Sequence, residues 1–465
     1  MADTLPAGLL LAYYGDDFTG STDALEAFTI AGVPTVLFLE RPDAAALARF
    51  PRMRCVGLAG QSRGRSPDWM RTHLAPDLEA LAGLGAPVLQ YKVCSTFDSS
   101  PAIGSIGCAI DLGVPLMPGG WSPLVVGAPR LGRFTAFGNL FAVADGIGHR
   151  LDRHPTMSRH PVTPMHEADL RRHLAGQTGR PTGLVDFTQL KAGNGAAALA
   201  RCLQDADVAP VVLIDVLDEE TLREAGRLVW EQRGPGVFGA ASSGLQYALV
   251  AHWRSQGLLP APEAPPVAAP AGRIAAVSGS CSPITARQID HAGAQGLATL
   301  RLDTTELLSP RSEAAFARVA DAACLALADG RSPLVYTALG PDDPAVQGFD
   351  AAASAAGLSR TEAARRTAEA LARMMRTLLD RTPDLRRVAV AGGDSSGEVA
   401  AALGVQALTV AASLTPGAPL CRAWSEDPRR DGLEIVLKGG QMGGPDFFVS
   451  VRDGPVATAA GPRRS

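Results

Sequence analysis

The stretch YYGDDFTGSTDALEAF, Tyr13 to Phe28, sets two adjacent carboxylates, Asp16 and Asp17, in a glycine-bounded turn between an apolar run and a helix-like segment. A helix N-terminus favours one side-chain oxygen or one negative charge, so Asp16, Asp17 or Thr19 reads first as a helix cap. Two neighbouring acids exceed what one cap needs. The competing reading is a site for substrate hydroxyls or a metal, because open α/β sheets bind ligands in loops outside the carboxyl ends of their strands.

A second polar cluster follows an apolar run in YKVCSTFDSSPAIGSIG, where Lys92 precedes Ser95, Thr96, Asp98, Ser99 and Ser100. Lys92 suits a substrate carboxylate and the hydroxyls suit a polyol; a solvated lysine before an ST-rich turn is the plainer alternative. PRLGRFTAFGNLF places Arg130 and Arg133 in a glycine-punctuated loop, which fits either a carboxylate clamp or an exposed turn. The histidine- and arginine-rich segment His149 to Leu170 suits an anionic substrate, and its spacing gives no zinc ligand set.

Three glycine- and hydroxyl-rich turns follow apolar runs in the second half: SGSCSP from Ser278, AGGDSSGEVAAALG from Ala391 and LKGGQMGGPDFF from Leu437. Bare backbone amides at such turns accept phosphate closely, hydroxyls such as Ser395 and Ser396 add donors, and a helix beginning near Gly397 aims its positive end at the loop. None matches the P-loop pattern or the dinucleotide fingerprint. A kinase of another design fits, since that chemistry asks for a phosphate cradle, a metal ion and an acid at the accepting hydroxyl.

Those residues need elements to hold them. With 465 residues the chain exceeds one ordinary core, and 46% hydrophobic against 19% charged residues describes a globular protein. A net charge of −4 gives no reason to expect nucleic acid or an anionic membrane as partner. Seven scattered cysteines without a C-x-x-C pair argue against a disulfide framework and for a reducing cytoplasm, and the N-terminal run resembles neither a signal peptide nor a membrane span.

GLLLAYY, the STDALEAFTIAG segment and VPTVLFLE read as strand, helix and strand of a parallel βαβ unit, and further strand-like runs occur at MRCVGLAG, APVLQYKV, PLVVGAP and APVVLID. GLLPAPEAPPVAAPAG lacks either hydrophobic period and reads as a stiff linker over residues 258–272. It divides a domain of residues 1–257 from one of residues 273–465, where RIAAVSGS, PLVYTALG, RRVAVAGG and LEIVLKGG continue the strand series. The expected fold is two α/β domains with largely parallel sheets.

Taken together, GDDFTGSTDALEAF, YKVCSTFDSSP, PVTPMHEADL, SGSCSP, GGDSSGEVAAALG, PGAPLCRAW and LKGGQMGGPDFF resemble the four-carbon acid sugar kinase family, in order and over nearly the whole chain. The resemblance implies an N-terminal domain that binds a sugar acid, a C-terminal domain that binds ATP, and Mg2+-dependent phosphoryl transfer in the cleft between them. It implies Asp17, or Asp16 in exchange with it, as the group at the attacking hydroxyl, beside which Lys92, Ser95, Thr96, Asp98 and Arg133 are read from their residue types as the sugar-acid contacts. It implies Ser278, Gly393, Asp394, Ser395, Ser396 and Gly443 at the nucleotide, and Ser280 and Gly440 of the same glycine-rich turns are expected there with them; metal ligands stay unassigned and a homo-oligomer open. Many members read like K-x-D-S-T-L-R-G where this chain has Asp98 at the arginine position, a form similar to the branch that includes 3-oxo-isoapionate kinases. The expected reaction is therefore phosphorylation of 3-oxo-isoapionate to its 4-phosphate, with threonate or erythronate as the alternative acceptor and a non-catalytic binding regulator as the rival class.

Overall fold

The computed structural model describes residues 4–144, 146–160, 162–204, 206–261 and 266–455. Two compact units span residues 1–264 and 265–465, each built on its own run of strands. The middle of the proline-rich linker, residues 262–265, and Pro161 at the head of PVTPMHEADL lie outside the described residues.

The first unit contains β1 (Leu11–Gly15), β2 (Thr35–Phe38), β3 (Cys55–Ala59), β4 (Val88–Lys92) and β5 (Ser122–Val125), then β6 (Arg133–Ala136), β7 (Asn139–Ala144) and β8 (Ile147–Arg150), and finally β9 (Thr182–Val185), β10 (Val211–Ile214) and β11 (Val237–Ala241). Eight of them form a parallel run in the order β2-β3-β1-β4-β11-β5-β10-β9. β1, β2, β3, β4 and β11 are buried at every position, as strands covered by helices on both faces must be, and they accordingly read as continuous apolar runs. The strand order reverses between β1 and β4, the switch point at which such sheets open a crevice.

β6, β7 and β8 make a separate antiparallel meander. Its glycine-punctuated sequence reads as loop because alternate residues stay half-exposed and no long apolar run marks it. The segment between β3 and β4 is helical over Pro67–Trp69 and Ala75–Ala82, with a π-helical turn at Met70–Leu74 just ahead of Pro76. Proline has no N–H for the helical ladder, and the widened turn absorbs the missing bond.

The second unit contains β12 (Ala275–Ser278), β13 (Ala298–Arg301), β14 (Pro333–Tyr336), β15 (Arg387–Ala391), β16 (Val405–Thr415), β17 (Ala418–Ser425) and β18 (Glu434–Lys438). Their order is β13-β14-β12-β15-β18-β17-β16, parallel up to β18 and antiparallel beyond it. The sheet is therefore mixed, largely parallel as expected, with the long hairpin β16–β17, bulged at Val405/Ala407 and Val410/Ala412, as its antiparallel part. Here the order reverses between β12 and β15, which places SGSCSP and GGDSSG on either side of the switch point.

Candidate active site

In the first unit, β1 ends at Gly15 and hands the chain directly to Asp16 and Asp17. Asp17 is the N-cap of the helix Phe18–Thr29, its Oδ1 accepting from Gly20 N at 2.7 Å, so the capping reading of the acid pair is correct as far as it goes. Its other oxygen, Oδ2, accepts from Thr19 Oγ1 and from Arg63 Nη1 at 2.7 Å. Asp16 is only 2% exposed and takes the remaining edge of the same guanidinium, with Nη2 at 2.7 Å and Nε at 3.1 Å. One arginine thus holds both acids.

Arg63 comes from QSRGRS, the loop after β3, and was not legible among the motifs above. A polar loop carrying a fixed cation at the carboxyl end of a strand next to β1 is the signal that could have found it. Backbone bonds lock the three loops together: Asp16 N donates to Lys92 O at 3.0 Å, and Arg63 N donates to Asp16 O at 3.0 Å. Burial pushes the Asp16 carboxyl up from its usual range and neighbouring Asp17 adds to this, against the pull of Arg63. For Arg63 the loss of solvent is outweighed by Asp16 and Asp17, which hold it well above its ordinary value.

The loop after β4 adds Asp98, whose Oδ1 accepts from Thr96 Oγ1 at 2.7 Å and whose Oδ2 lies 4.0 Å from Arg63 Nε. Burial would raise this carboxyl, but Arg63 and the Thr96 hydroxyl outweigh it and hold it below the usual range. Phe97, buried and packed edge-on to His173, has φ +56, a left-handed conformation uncommon for a bulky residue. That turn presents Asp98 toward Arg63, and backbone strain of this kind persists where the surroundings over-determine it.

Lys92 is not the open clamp its position in sequence implies. It is 2% exposed, donates to Val93 O at 3.1 Å and faces Asp23 Oδ2 at 3.7 Å. A Cβ on Gly20 would come 3.2 Å from its ammonium and 2.4 Å from Asp17 Oδ1, so glycine is required where the helix passes over both. Asp23 also leaves Oδ1 buried without a hydrogen-bond partner. Ser95 is half-buried beside these groups.

Arg133 opens β6 and has no carboxylate partner among the described residues. Its Nη1 donates to Leu131 O and Gly132 O, and its Nε is buried without an acceptor. Burial lowers its pKa, and burial followed by the charge of Arg133 lowers that of His154, whose Nδ1 accepts from Thr156 N and Met157 N. The meander is pinned by Asp215, at the end of β10, which accepts from Phe137 N and Gly138 N at the β6–β7 turn and from Phe187 N.

In the second unit three glycine turns converge. Gly279 N donates to Ala391 O at 3.0 Å and Gly392 N to Lys438 O at 2.9 Å, stitching the loops after β12, β15 and β18. A Cβ on Gly279 would meet Ser395 Oγ at 2.2 Å, and one on Gly440 would meet Ser280 Oγ at 2.6 Å. The helix after β15 begins at Gly393, four residues before the expected start, because Gly392 at φ +122 makes the whole turn. No side chain caps it. Gly393 and Asp394 are exposed in its first turn, whereas Ser396 Oγ donates back to Gly392 O at 2.7 Å and Ser278 is buried at the strand end. Ser280 Oγ donates to Thr285 Oγ1, and Gly443, at φ +84, turns the third loop.

The exposed first-turn amides at Gly393 and Asp394, with open space where a Cβ on Gly393 would lie, fit a phosphate, whereas Gly279 and Gly440 are glycine because Ser395 Oγ and Ser280 Oγ pack against them. Among the described residues there is no group of three His, Cys, Asp or Glu side chains placed to hold a metal, and no helix is long and apolar enough to cross a membrane.

Residues 11–249 match the sugar-binding N-terminal domain family and residues 275–448 the nucleotide-binding C-terminal domain family. The chain is 65% identical over 459 residues to a 3-oxo-isoapionate kinase of Paraburkholderia graminis, covering 98% of this chain and 97% of that one. It is 32% identical over 450 residues to a 3-oxo-tetronate kinase of Cupriavidus necator, covering 96% and 97%. A crystal structure of a Salmonella typhimurium protein superposes with a TM-score of 0.76 at 24% identity, over 94% of this chain and 98% of that one, and shows the same fold. The chain belongs to the four-carbon acid sugar kinase family, with an N-terminal sugar-binding and a C-terminal nucleotide-binding domain.

Proposed function

We propose that this protein is an ATP-dependent kinase that phosphorylates a hydroxyl of 3-oxo-isoapionate. The observation that carries the reading is the 65% identity to the Paraburkholderia graminis kinase over nearly the full length of both chains. The acid pair on Arg63 and the three convergent glycine turns supply the parts such a reaction needs.

Asp17 is the group that orients the attacking hydroxyl and takes its proton, because its side chain keeps 23% exposure where that of Asp16 keeps 4%. Asp16 anchors the guanidinium that fixes Asp17. Four carboxylates, Asp16, Asp17, Asp23 and Asp98, face two cations here, so the substrate's own carboxylate belongs elsewhere. Arg133, with its buried unpaired Nε, is the group for it, and Ser95 and Thr96 serve the hydroxyls.

ATP would sit against the amides of Gly393, Asp394, Ser395, Gly440 and Gly443, with Ser280 at the loop edge. Mg2+ bound to it would neutralise the charge of the transferring group, and Asp394, exposed in the first turn of that helix, is the carboxylate that would hold such an ion. Release of ADP measured with 3-oxo-isoapionate, 3-oxo-tetronate, threonate and erythronate tests the reading. The highest kcat/KM is expected for 3-oxo-isoapionate; turnover of threonate or erythronate alone would refute it. A second reading, a 3-oxo-tetronate kinase, draws on the 32% identical relative.

A further inference from the structure

Lys438 is a buried cation without a counter-charge. It ends β18, is 0% exposed, and its ammonium donates to Thr285 Oγ1 at 3.0 Å, Gly439 O at 3.2 Å and Met442 O at 3.4 Å, above the ring of Phe447. Among the described residues no carboxylate pairs with it; Asp446, on the neighbouring segment, accepts from Ser450 instead. A buried ammonium in that position is costly unless something anionic completes it.

The loop that follows shows what the cation does. Thr285 Oγ1 donates to Gly440 O at 2.9 Å, and the amide of fully buried Gln288 donates to Met442 O, Gly443 O and Gly444 O at 2.9 to 3.0 Å. Five carbonyl oxygens of residues 439–444 are therefore gripped from beneath by Lys438, Thr285 and Gln288. Successive amides of a turn whose carbonyls point inward form an anion-binding concavity.

We propose that Lys438 is the positioning residue of the nucleotide site: its ammonium holds the 439–444 loop with amides outward, and the nucleotide phosphates supply the counter-charge that the fold omits. This rests on the nucleotide-binding reading of the second domain. It also explains a lysine at a place where burial pushes its pKa down to about 7 and no carboxylate among the described residues offsets it.

The experiment titrates ADP and adenosine calorimetrically into the full-length protein and into Lys438→Met and Lys438→Arg. ADP affinity is expected to fall at least tenfold in Lys438→Met and to recover in part in Lys438→Arg, with adenosine affinity unchanged and KM for ATP raised more than kcat is lowered. A folded Lys438→Met with normal ADP affinity, or an equal loss for adenosine and ADP, overturns the proposal. Should Lys438→Met not fold, Lys438→Gln, which keeps a donor beneath the loop and removes the charge, decides: it is expected to bind ADP several-fold more weakly, and ADP affinity equal to that of the unaltered protein overturns the assignment. Failure of the unaltered protein to bind ADP at all would instead sink the nucleotide reading.

Discussion

Arg63 Nη1 lies 2.7 Å from Asp17 Oδ2, although the two residues sit on loops after different strands and 46 positions apart. The same guanidinium closes on Asp16 with its other edge. Together these bonds turn a helix cap into a fixed pair of acids, because an ordinary cap would leave the outer carboxylate oxygen to solvent.

Arg63→Met is expected to abolish most turnover and to destabilise the first domain by about 3 to 5 kcal/mol, the range for removing one partner of a buried ion pair. Arg63→Lys should recover stability in part and activity little, since an ammonium cannot present two parallel edges to two carboxylates. Denaturant unfolding and steady-state kinetics on the same preparations check both claims; wild-type turnover in Arg63→Lys would show that the fork is dispensable.

Asp17→Asn separates capping from chemistry. Asparagine caps a helix about as well as aspartate, so the cap is kept and any loss of stability reports the charge that Arg63 Nη1 meets at 2.7 Å. The expected loss is about 10²- to 10⁴-fold in kcat, the span of general-base contributions, with ADP affinity unaltered. If kcat stays within threefold, Asp17 is only a cap.

Gly392 and Gly393 should respond differently. Gly392 sits at φ +122, where an added Cβ is strained and would come 3.3 Å from Ser395 Oγ, so Gly392→Ala should destabilise the second domain. A Cβ at Gly393 meets nothing within 4 Å, so Gly393→Val should fold and instead obstruct phosphate at the helix N-terminus. Melting temperature and ADP titration resolve the two; unchanged ADP affinity in Gly393→Val argues against phosphate at that turn.

This contrast also shows what the sequence could and could not carry. The glycine turns, the acid pair and most parallel strands were legible because apolar runs and glycine punctuation are local signals. Arg63 and Asp215 were not, since each acts on residues brought close only by strand order. Nor was it legible that Lys92 donates to Val93 O and Ser396 to Gly392 O, for a related reason: a residue type says what a side chain can bind, and only packing says whether it is already bound.

Asp215 gives a pH signature. Burial pushes its carboxyl up to about 6 despite three backbone amide donors. A raised folded-state pKa means that its stabilising contribution is fully present below the unfolded value near 3.8 and is lost as pH rises through about 6. At 1.36 kcal/mol per unit the change is about 3 kcal/mol across that window. The stability of wild type relative to Asp215→Asn should therefore fall between pH 4 and 6.5, and a flat difference would leave the latch on the β6–β7 turn without its charge.

Asp98 bears on specificity. Charge reversal there would press a second guanidinium against Arg63, so a change in Asp98→Arg would report disruption as readily as recognition. Asp98→Asn keeps an acceptor for Thr96 Oγ1 at 2.7 Å and removes only the charge that Arg63 faces at 4.0 Å. Opposite charges at that distance interact by about 4 kcal/mol at an effective dielectric near 20. Released from Asp98, the guanidinium should shift its hold toward Asp16 and Asp17 and change how the pocket receives the acceptor. If the anion at residue 98 selects the substrate, kcat/KM for 3-oxo-isoapionate should drop at least about tenfold more than for 3-oxo-tetronate. Equal losses for the two acids would make Asp98 a support for Arg63 alone, and discrimination would then be sought among the hydroxyls of Ser95 and Thr96 and the unpaired edge of Arg133.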